Sequence, residues 1–137
     1  MRIWSKALIP YLPTKQLKAM RYELGDMVKQ YPNIKHGLVK FANDYDCIYL
    51  FDYFFEVNEE CAKRKMNMSE RYNNKIYEIA SEKSCSTYYR FNGYTFSEDT
   101  NRYLKQCLYN LQEKYDRGIV TPQEWQLIYD NFAEYLD

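Results

Sequence analysis

The stretch "PTKQLKAMRYELGDMVKQYP", residues 13–32, decides the fold of this chain. Its apolar residues recur at steps of three and four, which is the spacing of one face of an α-helix: Leu17, Met20, Leu24, Met27 and Tyr31. Pro13 and Thr14 mark the start of the helix, with Thr14 as the N-cap, and Pro32 closes it. The stretch therefore predicts an amphipathic first helix that turns one face into a core.

The helical pattern continues along the rest of the chain, without an internal repeat or a low-complexity linker. Further helices are predicted over residues 34–42, over 47–65 with Asp46 as N-cap, over 70–82 with Ser69 as N-cap, from Ser97 to Gly118, and from the capping box Thr121-Pro122-Glu124 to about Tyr135. Asn92-Gly93 is a turn signal that allows a brief hairpin between two of them. We expect an all-α fold: one compact domain of five or six helices over residues 1–137.

Composition and charge limit the function classes. Aromatic residues make up 18% of the 137 residues, which favours a packed domain over a disordered one. The formal net charge is zero, with 19 basic and 19 acidic residues, and this argues against strong non-specific binding of nucleic acid while leaving room for a local basic face. The start of the chain does not resemble a signal peptide and no apolar run approaches the length of a membrane span, so we expect a cytoplasmic protein.

The chain offers few residues for conventional catalysis. Its single histidine, His36, has no recognisable nucleophile beside it, the four glycines form no phosphate loop, and the four cysteines make no CxxC pair for zinc. Cys61 and Cys107 fall on apolar helix faces, which predicts buried thiols. No metal-ligand cluster appears, so neither a metal nor another cofactor is expected.

Glu23 and the amino terminus are the remaining candidates. On a helical wheel, Glu23 lies about 80° to one side of the centre of the apolar stripe and Arg21 about 80° to the other. From the residues alone, Glu23 is either a solvated or ion-paired glutamate, or a carboxylate that borders a cleft. The α-amine of Met1 has an ordinary pKa of about 7.7–8.0, far below that of lysine, so a useful fraction is a neutral nucleophile at pH 7.

Three blocks of the sequence resemble the pyrimidine dimer DNA glycosylase family: "MRIWSKALIPYLPTKQLKAMRYEL" (1–24), "KHGLVKFANDYDCIYLFDYFFEVNEECAKR" (35–64) and "YLKQCLYNL" (103–111). The resemblance implies an all-α fold with the N-terminus threaded into the centre. It also implies a glycosylase and abasic-site lyase that acts, as a monomer in a bacterial or phage-infected cell, on double-stranded DNA with damaged pyrimidines.

Carried over residue by residue, the resemblance makes Met1 the source of the nucleophilic amine and Glu23 the carboxylate that assists at the sugar. Arg2 matches an arginine that contacts phosphate near the site, and His36 aligns with a family histidine. With Arg21 and Lys15, these form the expected DNA-binding set. The resemblance calls for no cofactor.

The sequence also departs from the family. The arginine that the family has directly before the glutamate is Tyr22 here, with Arg21 displaced by one position, and a basic residue one turn later in the phage members is Asp26. Three interpretations are open: DNA contact has moved to lysines, the substrate is not a cyclobutane dimer, or the fold persists without activity. The candidate lysines are Lys6, Lys15, Lys18, Lys35 and Lys40.

The main alternative is a non-catalytic DNA- or protein-binding module on the same helical fold, and an unrelated helical interaction protein is the third. Two further segments have competing interpretations. "TYYRFNGY" (87–94) either presents Tyr88, Tyr89 and Arg90 to DNA or packs onto the core. "AKRK" (62–65) is either a DNA contact or, as we expect, a solvated basic helix end that complements the helix dipole.

Overall fold

The computed structural model describes residues 3–83 and 93–136. Within them, five α-helices and two 3₁₀ helices make up the regular structure, and no strand occurs in this part of the chain. The α-helices are α1 (Thr14–Gln30), α2 (Cys47–Lys63), α3 (Glu70–Glu82), α4 (Asn101–Asp116) and α5 (Pro122–Leu136), and the 3₁₀ helices span Lys6–Tyr11 and Lys40–Asp44. The predicted all-α fold is confirmed.

Several of the predicted helix ends are confirmed by their hydrogen bonds. The side chain of Asp46 accepts from the backbone N–H of Ile48 at 3.1 Å, and that of Ser69 accepts from Tyr72 at 3.1 Å. Gly118, with φ +78°, follows the end of α4 in the left-handed conformation that glycine adopts most readily. Short-range sequence signals therefore located these ends because the capping side chain lies within three residues of its partner.

Three predicted boundaries are wrong. The carbonyl of Pro13 accepts from the N–H of Leu17, so Thr14 is the first residue of α1 and not its N-cap. Thr100, not Ser97, caps α4, and the Ser97 hydroxyl instead bonds the hydroxyl of Tyr45. The predicted helix over 34–42 is mostly a loop, because Asn43 bonds both the N–H and the carbonyl of Ile34, which leaves only Lys40–Asp44 as a 3₁₀ helix.

The core lies around α1, which packs against α2 and α3, while α4 pairs with α5. The first 3₁₀ helix rests on α2 and α5. The predicted stripe enters this core: Leu17, Met20, Leu24 and Met27 are buried and Tyr31 is partly buried. Cys61 and Cys107 are buried thiols, as predicted, and burial raises the pKa of the Cys61 thiol.

Both ends of α1 are held by side chains from distant parts of the chain. Glu124, in the capping box of α5, accepts from the N–H of Thr121 and from the N–H of Thr14 at the start of α1, each at 3.1 Å. At the other end, Lys83 donates to the carbonyls of Val28, Lys29 and Tyr31 at 2.6–2.8 Å. These contacts satisfy backbone groups that a helix leaves open at its termini, and they fix α1 in position.

The structure also gives two negative findings for the described ranges. No helix within 3–83 and 93–136 combines the length and apolarity needed to span a bilayer. Across the same residues, no group of three or more histidine, cysteine, aspartate or glutamate side chains could hold a metal ion. The predicted hairpin at Asn92-Gly93 falls mainly in 84–92, outside the described residues, and so do Tyr88, Tyr89 and Arg90.

Candidate functional site: a cleft between α1 and α4

A cleft of about 380 Å³ opens between α1 and α4, with Trp4 at its side. The residues that α1 and α4 contribute each recur at helical spacing, so each helix turns one face to the cleft. From α1 these residues are Lys15, Gln16, Ala19 and Glu23, and from α4 they are Asn110, Glu113, Lys114 and Arg117. Three basic and two acidic side chains therefore share the cleft of a chain whose net charge is zero.

Glu23 is the partly buried carboxylate of this cleft. Burial raises its pKa above the ordinary value, and the negative charge of Asp26 one turn away acts in the same direction. A carboxyl group with a raised pKa is better suited to exchange protons near neutral pH. Of the two interpretations left open by the sequence, the structure therefore supports the carboxylate that borders a cleft.

The chain that leads to the amino terminus is fixed beside this cleft. Ile3 and Trp4 are both buried, and the carbonyl of Ile3 accepts a hydrogen bond from the hydroxyl of Tyr103. The next residues bond Asp99: the Ser5 hydroxyl donates to one of its carboxylate oxygens at 2.6 Å and the N–H of Lys6 to the other at 2.8 Å. Trp4 thus reaches the cleft from an anchored segment. Met1 and Arg2 lie outside the described residues.

Two basic side chains hold the first 3₁₀ helix rather than facing solvent. Lys6 pairs with Asp52 at 2.5 Å and donates to the carbonyl of Tyr94, so only 10% of its side chain is exposed. Arg64 donates to the carbonyls of Leu12 and Pro10 at 2.6 and 3.1 Å. The prediction that "AKRK" is a solvated helix end is therefore wrong for Arg64, and Lys6 is engaged within the protein.

Arg21 is one of the largest fully buried side chains, with 2% of its surface exposed. Its guanidinium donates to the side-chain oxygens of Asn58 and Asn73, at 2.9 and 2.6 Å, and lies over the rings of Tyr22 and Tyr72. It does not line the cleft. These contacts join α1 to α2 and α3, so we leave Arg21 out of the DNA interface proposed below.

The other predicted binding residues fall in different places. Lys15 lines the cleft, as the hypothesis of displaced lysine contacts requires. His36 lies exposed in the loop after α1 and is not part of the cleft lining. Asp26 is half-exposed and pairs with Lys29 at 3.7 Å.

Sequence reasoning missed the α4 side of the cleft, including Lys114 and Arg117. Their spacing placed them off the apolar stripe of α4, but only the packing of α4 shows that this polar face looks toward Glu23. Arg117 pairs with Glu113 at 3.7 Å, and more than half of each side chain is exposed. Such an exposed pair is weak and can be exchanged for a phosphate contact at small cost.

Gln16 adds an unusual feature to the floor of the cleft. Its side-chain oxygen Oε1 is buried and has no hydrogen-bond partner among the described residues. Buried acceptors are normally paired, since an unpaired one costs free energy.

The fold and the cleft together define a class of protein: a small helical domain with a half-buried carboxylate on its first helix, a basic surround, and its amino-terminal segment anchored alongside. The family model described as pyrimidine dimer DNA glycosylase matches residues 1–74, just over half of the chain. The chain belongs to the pyrimidine dimer DNA glycosylase family, which supports a DNA-repair function of the glycosylase type. No curated protein and no solved structure gave a significant match.

The match confirms the resemblance seen in the sequence, and it ends at residue 74, before α4. It covers the first 3₁₀ helix, α1, α2 and the first turn of α3. The carboxylate wall of the cleft therefore lies within the matched region, whereas α4, which forms the facing wall, lies beyond it.

Proposed function

We propose that this protein is a DNA glycosylase and abasic-site lyase that uses the α-amine of Met1 as its nucleophile and Glu23 as its acid–base residue. The observation that carries the proposal is the partly buried Glu23, with its raised pKa, in the cleft that also contains Trp4. Met1 is three residues before Trp4, and a residue spans at most about 3.6 Å, so the amine nitrogen, one bond beyond the Cα atom of Met1, can be no more than about 12 Å from the Cα atom of Trp4. An amine within that radius is compatible with attack on a sugar held in the cleft.

The reaction proceeds in two stages. The neutral amine attacks C1′ of the damaged nucleotide, and the glycosidic bond breaks with its electron pair leaving on the base. The amine nitrogen loses one proton, and its lone pair then forms the C1′–nitrogen double bond while the C1′–O4′ bond opens. The electron pair of that bond goes to O4′, which takes up a proton, and the product is a protonated imine. Removal of a proton from C2′ then breaks the C3′–O bond, and the phosphate leaves with that electron pair. Water hydrolyses the imine and frees the amine.

Glu23 serves both stages. Ionised, it stabilises the positive charge that develops on the sugar as the base departs, and a partly buried carboxylate does this better than one in bulk water. With its raised pKa it also carries protons between the amine, the sugar and water during elimination. Lys15, Lys114 and Arg117 hold the flanking phosphates, and Arg2 is the fourth candidate. His36, exposed outside the cleft, is a candidate for more distant phosphate contact.

The substrate in this proposal is double-stranded DNA that contains damaged pyrimidines. A damaged nucleotide stacks poorly and costs less to displace from the helix, which favours its capture. The protein acts as a monomer, without a cofactor, in the cytoplasm of a bacterium or of a phage-infected cell.

Borohydride trapping tests the proposal on the untagged protein. Incubated with dimer-containing or abasic-site DNA, the protein should form a covalent adduct that peptide mapping assigns to Met1. Acetylation of the α-amine should abolish the adduct while leaving DNA binding measurable. An adduct on a lysine, or strand cutting that survives acetylation, would contradict the proposed nucleophile. Binding of DNA without any adduct would instead favour the non-catalytic module.

A further inference from the structure

Asp99 is a carboxylate that accepts three hydrogen bonds from the core and the amino-terminal segment, and it lies beyond the region matched by the family model. It accepts from the Ser5 hydroxyl at 2.6 Å, from the Lys6 N–H at 2.8 Å and from the Tyr53 hydroxyl at 2.8 Å. These donors come from the amino-terminal segment and from α2. A single side chain therefore ties the start of the chain to the core.

Tyr103 completes the arrangement one turn into α4. Thr100 caps this helix, so Asp99 lies immediately before it and Tyr103 three residues after the cap. The Tyr103 hydroxyl donates to the carbonyl of Ile3. Asp99 and Tyr103, at the amino-terminal end of α4, thus form hydrogen bonds with the backbone at residues 3 and 6 and with the side chain of residue 5.

These hydrogen bonds lie on both sides of Trp4 in the sequence. Ile3 is bonded to Tyr103, Ser5 is bonded to Asp99, and Trp4 between them is 9% exposed and lines the Glu23 cleft. Further along α4, Asn110, Lys114 and Arg117 form the facing wall of the same cleft. The same helix, with the residue just before its cap, therefore holds the chain on both sides of Trp4 and forms one wall of the cleft.

We propose that Asp99 and Tyr103 are positioning residues that fix where the reactive amine of Met1 is delivered relative to Glu23. The inference rests on the proposed function for its catalytic consequence, because neither residue is required to touch the DNA. Residues 3, 5 and 6 set the point from which the chain runs to Met1, and holding reacting groups in place accounts for a large share of enzymatic rate enhancement.

The test uses Asp99→Asn and Tyr103→Phe in the untagged protein. Asparagine presents an N–H group where one of the two oxygens accepted a donor, and phenylalanine deletes only the hydroxyl. The rate of imine trapping at saturating enzyme should fall about ten- to a hundredfold in each variant, while the dissociation constant for abasic-site DNA stays within about twofold. Asp130→Asn, the same change on the exposed face of α5, is the control and should trap at the wild-type rate.

A second readout keeps this inference separable from the proposed chemistry. The chain has two tryptophans, so 5-fluorotryptophan labelling gives one ¹⁹F resonance for Trp4 and one for Trp125. The Trp4 resonance should shift or broaden in Asp99→Asn and Tyr103→Phe, while that of Trp125 stays in place. Ser5→Ala, which removes one hydrogen bond, serves as the milder variant if Asp99→Asn does not fold.

The outcomes separate cleanly. Wild-type trapping on Met1 with unchanged trapping rates in folded variants would overturn the positioning role and leave the proposed function intact. Absence of any wild-type adduct would overturn the proposed glycosylase and lyase function. A Trp4-specific shift in the variants would then still support the positioning of the amino-terminal segment by Asp99 and Tyr103. An unchanged Trp4 resonance in both variants would mean that Asp99 and Tyr103 do not hold the segment around Trp4 in place.

Discussion

At the scale of single residues, Glu23 holds a position that serves chemistry at the expense of stability. Its folded-state pKa is raised by burial, so the folded protein binds a proton that the unfolded chain releases in the pH window between the ordinary carboxyl pKa and the raised one. Stability therefore falls as the pH rises through that window, and above it the ionised Glu23 continues to disfavour the fold.

This linkage gives the first prediction. Glu23→Gln stays neutral, so at pH 7 to 8 it should melt at the same temperature as the wild type or higher, and the difference should disappear below about pH 4. The same variant should lower strand cutting by about a hundredfold or more because it removes the proton-transfer group. Thermal melts across pH and single-turnover cutting measure both. A variant that is clearly less stable at pH 7 would mean that the carboxylate is structural.

Gly25 carries the second residue-scale prediction. A Cβ atom at this position would lie 2.1 Å from the hydroxyl of Tyr72, whose ring stacks on Arg21 and whose hydroxyl donates to the carbonyl of Tyr22. Gly25→Ala should therefore destabilise the protein by ~1–3 kcal/mol, despite the helix propensity of alanine. In a Tyr72→Leu background the clash is relieved, and the same substitution should be neutral or stabilising. Chemical denaturation of the four proteins in this cycle measures the coupling.

At the scale of helices, Glu124 connects α5 to the start of α1. Burial alone would raise its pKa, but hydrogen bonds from the backbone of Thr121 and Thr14 outweigh burial and hold the pKa below its ordinary value. A depressed carboxyl pKa contributes stability that is fully present above the unfolded-state pKa and is lost as the pH falls through the folded-state value.

Glu124→Gln should consequently reduce the free energy of unfolding by about 1 kcal/mol at pH 7, the usual cost of a lost cap. The gap between variant and wild type should narrow as the pH falls below about 4, since the wild type then loses its own contribution. Glu134→Gln, on the same helix and exposed, is the matched control and should change neither quantity. A constant gap from pH 7 to pH 3 would contradict the role of the ionised carboxylate.

The helices also show what the sequence could and could not predict. The apolar stripe of α1 and the caps at Asp46, Ser69 and Thr121 are local signals, and they are confirmed because each depends on residues within one or two turns. Ser97, Asp99 and Thr100 are all of residue types that cap helices, so the local sequence did not decide which of them begins α4. Thr100 caps it, while Ser97 bonds Tyr45 and Asp99 bonds Ser5, more than ninety residues away, and no local signal encodes those contacts. Glu23 could be identified as a candidate from α1 alone. The face of α4 opposite it and the buried position of Arg21 could not, because both depend on how the helices pack against one another.

At the scale of the whole molecule, a neutral chain can still bind DNA if its charges are unevenly distributed. Lys6 is paired with Asp52, Arg64 is bonded to the carbonyl of Leu12, and Arg21 is buried, so these cations do not add to a DNA-binding surface. Lys15, Lys114 and Arg117 remain around the cleft. The proposed function therefore predicts a small DNA-binding footprint at the cleft.

The size of that footprint determines how DNA binding depends on salt. If three phosphates are neutralised, the logarithm of the binding constant should fall with the logarithm of salt concentration with a slope of about −3, shallower than for extensively basic DNA-binding proteins. Lys15→Gln and Lys114→Gln should each reduce the slope by about one. Lys18→Gln and Lys105→Gln make the same change on exposed residues of the same two helices that do not line the cleft, so they should leave the slope unchanged. Fluorescence anisotropy measures the binding constant for an abasic-site duplex at salt concentrations from about 50 to about 300 mM. The resulting slopes distinguish the two cleft variants from the two control variants. Equal effects of all four substitutions would mean that DNA does not lie across this cleft, and the Glu23 carboxylate would then have no sugar within its reach.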